Sequence, residues 1–302
     1  MKIVSLIPSG TDIACALGLA NNLVGVSHAC DNEAVRDLPI LTRSVVPQNL
    51  TPREIDDCVS QALREPDANG SLYRTDRELL RTLAPDLVLT QDICDVCAVN
   101  AQSVLCDLPH GATLVNLSAT SFDGLWRDLQ KVAQAATVDA NSLISRLQNR
   151  LQNTHRVLEA HAHQTPRVLT LEWTDPPFVG GHWVPEIIER AGGCDVLGKA
   201  NAPSRRATWA EIAQSDPDVI LHLPCGYGLE ETRAQEIELR HNIEYSNLRA
   251  VQNGNVWVTN ATHLFSRCTP MSVRAVEVVA GIVHLSLFEA PREDEAQSIE
   301  GV

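Results

Sequence analysis

Two distant stretches of this chain follow one plan. LLRTLAPDLVLTQDIC (79–94) and AEIAQSDPDVILHLPCG (210–226) each read as a helix, a Pro-Asp pair, a short apolar run and a polar end carrying Cys. Read by itself, DRELLRTLAPDLVLTQ is helical on through Pro85, but beside its counterpart it is helix, turn and strand. The opening KIVSLIPSGTDIACALGLANN is matched by RVLTLEWTDPPFVGGHWVPEIIERAGG, and HGATLVNLS by NGNVWVTN. Short apolar runs alternating with helical patterns predict an α/β protein with mainly parallel sheets. The duplication predicts two similar Rossmann-like lobes, over 1–118 and 166–290.

Residues 119–165 lie between them. Leu125, Leu129, Val132 and Ala136, then Leu143, Leu147, Leu151 and Val157, keep helical spacing, with no Pro until Pro166. The segment is not Gly/Ser-rich, so it is expected to be a long backbone helix joining the lobes and not a flexible linker. The final stretch, 291–302, is acidic and aperiodic and is expected to be disordered.

Charge narrows the function. A formal net charge of −14 and the lack of any basic run argue against a nucleic-acid partner. No apolar stretch of about 18 residues is present, so nothing is expected to span a membrane. The amino terminus, MKIVSLIPSG, has one Lys and no long apolar leader, which predicts a cytoplasmic protein; a periplasmic or lipid-anchored chain that had lost its leader would look similar. The nine cysteines are then expected to be reduced thiols.

Ligands of open parallel sheets bind at the carboxyl ends of the strands. There the first half places His28, Cys30 and Asp31 of SHACD, with Tyr73, Asp92, Cys94 and Cys97. The second half places Glu172, Trp173, His182, Trp183, Cys225, Tyr227, Asn260 and His263. Strand ends presented by two lobes predict a cleft. Cys94 and Cys97 form a single C-x-x-C, which suits metal or cluster ligation, a redox dithiol, or two packed thiols. Together with Cys30 and Cys225 they could hold zinc or an iron–sulfur cluster. Trp173, Trp183 and Tyr227 could stack on a flat macrocycle or pack in a lobe core. Glu172 and Asp175 could form an acid–base pair, although no nucleophile elbow, P-loop or G-x-G-x-x-G accompanies them.

KIVSLIPSGTDIACALGLANNLVGVSHACD, LAPDLVLTQ, PEIIERAGG, WAEIAQSDPDVIL and NGNVWV, in that order over 2–287, resemble the helical-backbone (cluster A, class III) substrate-binding proteins of ABC importers. Among these the sequence looks most like the cobalamin-binding members. The resemblance implies capture of a metal-containing small molecule, a corrinoid first, in an interlobe cleft without catalysis, and an ABC importer as partner. Two other expectations stay open: a cytoplasmic metal- or cluster-binding protein working with another cytoplasmic protein, and a thiol-dependent enzyme.

Overall fold

The structure, a computed structural model, describes residues 1–64, 72–91, 93, 104, 108–161 and 164–299. It divides into two compact units: 1–119 with 123–145, and 120–122 with 146–302.

The first unit runs β1 (Ile3–Ser5), α1 (Pro8–Ala16), β2 (Leu23–Val26), β3 (Thr42–Ser44), α2 (Pro52–Arg64), β4 (Tyr73–Thr75), α3 (Arg77–Leu83), β5 (Leu87–Gln91) and β6 (Thr113–Leu117), then α4 (Phe122–Ala136). Its sheet is parallel throughout, in the order β2-β1-β5-β6, while β3 and β4 form a separate antiparallel ribbon. Val4, Leu6, Leu41, Leu80, Val88 and Val104 pack together with almost no exposure. Each such side chain contributes roughly 1.5–3 kcal/mol by leaving water.

Helix α5 (Asn141–Ala160) begins in the first unit and continues into the second, where it precedes β7 (Arg167–Thr174), β8 (Pro177–Val179), α6 (Val184–Arg190), β9 (Cys194–Asp195), β10 (Arg205–Arg206), α7 (Trp209–Ser215), β11 (Val219–His222) and α8 (Leu229–Leu239). There follow α9 (Ile243–Ser246), α10 (Arg249–Gln252), β12 (Val256–Thr259), α11 (Ala261–Leu264), α12 (Met271–Val283) and β13 (Ala296–Ser298). Parallel strands β9-β7-β11-β12 repeat the order of the first sheet, and the antiparallel strands β8, β10 and β13 extend it. The hairpin β7–β8 separates the second copy from the first, where β1 passes directly into α1. Its turn is Asp175-Pro176, and Pro177 opens β8, so neither Pro offers the ladder a donor.

The duplicated Pro-Asp motif does the same physical work twice. Ala84 and Asp216 end α3 and α7 in the left-handed region, at φ +46° and +41°, and the following Pro prevents the helix from continuing. The next carboxylate receives the backbone N–H that opens the neighbouring strand: Asp86 from Lys2 at 2.7 Å, Asp218 from Arg167 at 2.9 Å. The side chains of Lys2 and Arg167 in turn donate to carbonyls at the helix ends, Leu83 O at 3.1 Å and Ser215 O at 2.7 Å. Helix end, turn and strand foot are thereby fixed to one another in both copies.

Two expectations are corrected. The predicted single strut is two helices, because Thr137 turns the chain at φ +56° and Asp139 accepts from Asn141 N and Ser142 N to start α5 afresh. The carboxyl-terminal stretch predicted to be disordered instead forms β13 along β12 as far as Ser298, burying Ala296 and Ile299. Its charge does not prevent this, because Glu295 is buried and paired with Arg274 at 2.7 Å and Arg292 at 2.8 Å.

A buried polar chain underlies the end of β11. His222 Nε2 lies 2.9 Å from the Tyr245 hydroxyl, which donates to Glu236 Oε1 at 3.0 Å, and Arg240 Nε donates to the same oxygen at 2.7 Å. His222, Glu236 and Tyr245 are fully buried. Burial, then the nearby Arg240 charge, pushes His222 down to about 3.

Two outcomes follow. Burial raises the Glu295 pKa, but hydrogen bonds from Arg274 and the Arg292 backbone outweigh it and leave the group below its ordinary value. The clamp is therefore complete above the ordinary carboxylate pKa and weakens as pH falls through the depressed one. Glu295→Ala should cost about 2 kcal/mol in urea unfolding and raise amide exchange at residues 296–299; unchanged exchange there would contradict the clamp. For His222, the unfolded chain takes up a proton below about pH 6.5 that the folded chain refuses. Stability should fall by about 2 kcal/mol between pH 7 and 5, and this part of the loss should be absent in His222→Asn.

Candidate functional site

At the carboxyl end of β2 the chain leaves the sheet through Ser27 and His28. Thr42, buried at the start of β3, meets both: its hydroxyl accepts from His28 N at 3.0 Å, lies 2.7 Å from His28 Nδ1, and donates to Ser27 Oγ at 3.0 Å. The His28 ring is exposed, with the Tyr73 ring beside it at 5.5 Å and 41°. Partial burial lowers the His28 pKa, so the ring is neutral at pH 7. Cys30 lies 3.1 Å from Thr11 Oγ1 on α1, and Asp31 is exposed beyond it. His28, Cys30, Asp31 and Tyr73 thus share one end of the first unit.

Asp92, Cys94 and Cys97 lie outside the described residues. Among the described residues, no group of three or more His, Cys, Asp or Glu side chains is disposed to hold a metal ion.

In the second unit the β7 ladder shifts register between Leu171 and Trp173, so Glu172 sits at an irregularity of the kind that re-aims side chains. Its carboxylate accepts from Gly181 N at 2.9 Å and from the Ser204 hydroxyl, and thereby holds the G-G-H-W turn. Gly181 has no room for a Cβ, which would stand 2.2 Å from Ser204 N. His182 follows in the left-handed region at φ +51°, a conformation that costs a side-chain-bearing residue of order 1–2 kcal/mol. Burial lowers its pKa as well. Trp183 is anchored through Nε1 to Phe265 O at 2.8 Å and is part of the scaffold.

Trp173 is half-buried and meets Tyr227 edge-on, with ring centroids 5.4 Å apart. Tyr227 stands on a turn that its own N–H closes onto Pro224 O, with Gly226 at φ +82° in the third place and Cys225 exposed in the second. Thr262 N donates to Tyr227 O, so α11, which Asn260 precedes and which bears exposed His263, supports the same turn. Asn260 N and Nδ2 donate to Glu295 O and Asp294 O, which ties that residue to the segment leading into β13, while its buried Oδ1 has no partner among the described residues. Trp173, His182, Cys225 and Tyr227 therefore occupy one end of the second sheet, with Glu172 holding the turn that carries His182.

Sequence reasoning missed Thr42 and Ser204, which position His28 and Glu172 through contacts far apart in the chain. It also missed the His222–Tyr245–Glu236 chain beneath the Cys225 turn. The one available signal was His222 itself, a polar residue at the end of an apolar strand.

Residues 3–262 match the family model described as periplasmic binding protein. The Vitamin B12-binding protein of Vibrio cholerae serotype O1 is 25% identical over 291 residues, covering 92% of this chain and 87% of that protein. An ABC transporter substrate-binding lipoprotein of Bacillus subtilis, YvrC, is 22% identical over 295 residues, covering 95% and 81%. Among solved structures, a periplasmic heme-binding protein of Pseudomonas aeruginosa superposes with TM-score 0.75 at 17% identity, covering 100% of this chain and 99% of that one, which supports the fold. These findings overturn the expected cytoplasmic location: the matched family is periplasmic by description, and one of these relatives is a lipoprotein. Family members are substrate-binding proteins of ABC transporters and not enzymes, so the thiol-dependent enzyme reading is set aside. The chain belongs to the periplasmic binding protein family, as a class III substrate-binding protein of the ABC-importer type.

Proposed function

We propose that this protein captures a corrinoid and hands it to an ABC importer. The observation that carries the reading is the similarity to a Vitamin B12-binding protein over 92% of the chain. The geometry agrees with a flat ligand. Trp173 and Tyr227, set edge to face, offer one aromatic surface of the kind on which a macrocycle packs. The residues we assign to ligand contact are His28, Asp31 and Tyr73 in the first unit and Trp173, His182 and Tyr227 in the second. Glu172, Trp183 and Asn260 act through the turns they hold, and His263 borders them. The exposed thiol of Cys225 lies beside the aromatic pair and is assigned no metal.

The test is titration of the purified protein with cyanocobalamin, followed by tryptophan fluorescence. Saturable quenching with one site and a Kd of about micromolar or tighter is expected. Trp173→Ala should weaken binding by about tenfold or more, because a buried aromatic contact is worth roughly 1–3 kcal/mol. No saturable quenching would refute the corrinoid assignment.

A further inference from the structure

Arg150 and Arg274 close on their carboxylates with both arms of the guanidinium edge. Nε and Nη2 reach the two oxygens of Glu277 at 2.8 Å each, and those of Glu295 at 2.8 and 2.7 Å. Arg240 meets Glu236 with one arm only. Its Nε donates to Oε1 at 2.7 Å, whereas Nη2 and Oε2 are both buried and have no hydrogen-bond partner among the described residues. An ion pair left half open inside a protein is costly unless a third group completes it. Glu236 is fully buried, but the Arg240 side chain keeps 19% exposure, so the pair stands next to the solvent boundary.

The other end of the same chain is open as well. Oε1 of the paired carboxylate can only accept, so the Tyr245 hydroxyl gives it its one proton at 3.0 Å. Burial and the Glu236 charge hold the Tyr245 pKa well above its ordinary value, so that proton stays in place. His222 Nε2, 2.9 Å from the same hydroxyl, must then be the donor in that contact. A neutral imidazole protonated at Nε2 has its lone pair at Nδ1. His222 Nδ1 is buried and likewise has no partner among the described residues.

We propose that internal water completes this chain: one molecule between Glu236 Oε2 and Arg240 Nη2, and a second donating to His222 Nδ1. The ligand class follows from the charges. A cation would face Arg240 and an anion would face Glu236, whereas a neutral molecule that donates to one and accepts from the other satisfies both. Neither water depends on the bound ligand. Their place is beneath the Cys225 turn, where the His222 carbonyl also accepts from Thr259 Oγ1 at 2.9 Å.

The test is a high-resolution crystal structure of the unliganded native protein, together with nitrogen NMR of its histidines. Water oxygens are expected about 2.7–3.2 Å from Glu236 Oε2 and Arg240 Nη2, and from His222 Nδ1. His222 should show a protonated Nε2 and an Nδ1 resonance moved from the bare imine position to the hydrogen-bonded one. Glu236→Leu combined with Arg240→Met replaces the pair by apolar side chains of similar size. The water between them should then be lost. Tyr245, freed of its acceptor, should give its proton to Nε2 and so move the His222 proton to Nδ1. A direct bond from Arg240 Nη2 to Glu236 Oε2, or a protein group in that gap, would overturn the proposal. So would a native His222 protonated at Nδ1, an Nδ1 at the bare imine position, or an unchanged tautomer in the double variant. Should that variant fail to fold, the native structure and spectrum decide alone.

Discussion

Each half of this molecule depends on a carboxylate at the foot of its sheet. Asp86 and Asp218 receive the backbone N–H of the residue that opens the central strand, and the Pro before each of them stops the preceding helix. One side chain therefore fixes the register between a strand start and a helix end. The cation that opens the strand, Lys2 or Arg167, satisfies carbonyls that the terminated helix leaves unpaired. With the amino ends of the strands secured in this way, the opposite ends are left to vary, and there the two units differ. The first turns from β2 into Ser27 and His28, whereas the second inserts a hairpin and the strained turn at His182.

The same division explains what could be read from the chain. The repeated Pro-Asp motif is local and periodic, so the two-fold α/β plan and its parallel strands were legible, as was the set of strand ends carrying the polar residues. The break between α4 and α5 was legible only in part, because Leu spacing continues on both sides of Thr137 and Asp139. The carboxyl-terminal strand was not, since its composition is acidic and its order comes from Arg274, a partner remote in sequence. Composition describes what a segment would do in water, whereas a buried ion pair depends on what the fold places opposite it.

The site shows the same limit at the scale of single side chains. His28 and Trp173 could be named from their positions after strands. That Thr42 meets both the backbone N and the ring Nδ1 of His28, and that Glu172 is occupied in holding Gly181 and Ser204, could not be seen without coordinates. The first fixes the direction of the ring at the end of β2. The second converts a presumed acid–base carboxylate into a brace. Both results favour binding over catalysis, in agreement with the family.

Backbone amide chemical shifts, recorded with and without cyanocobalamin, test most directly the claim that one end of each sheet fixes the fold and the other binds. Perturbations should concentrate at residues 27–31, 172–183 and 223–228, with none at Lys2, Asp86, Arg167 or Asp218. Perturbations centred on those four residues, with the strand carboxyl ends silent, would contradict the account.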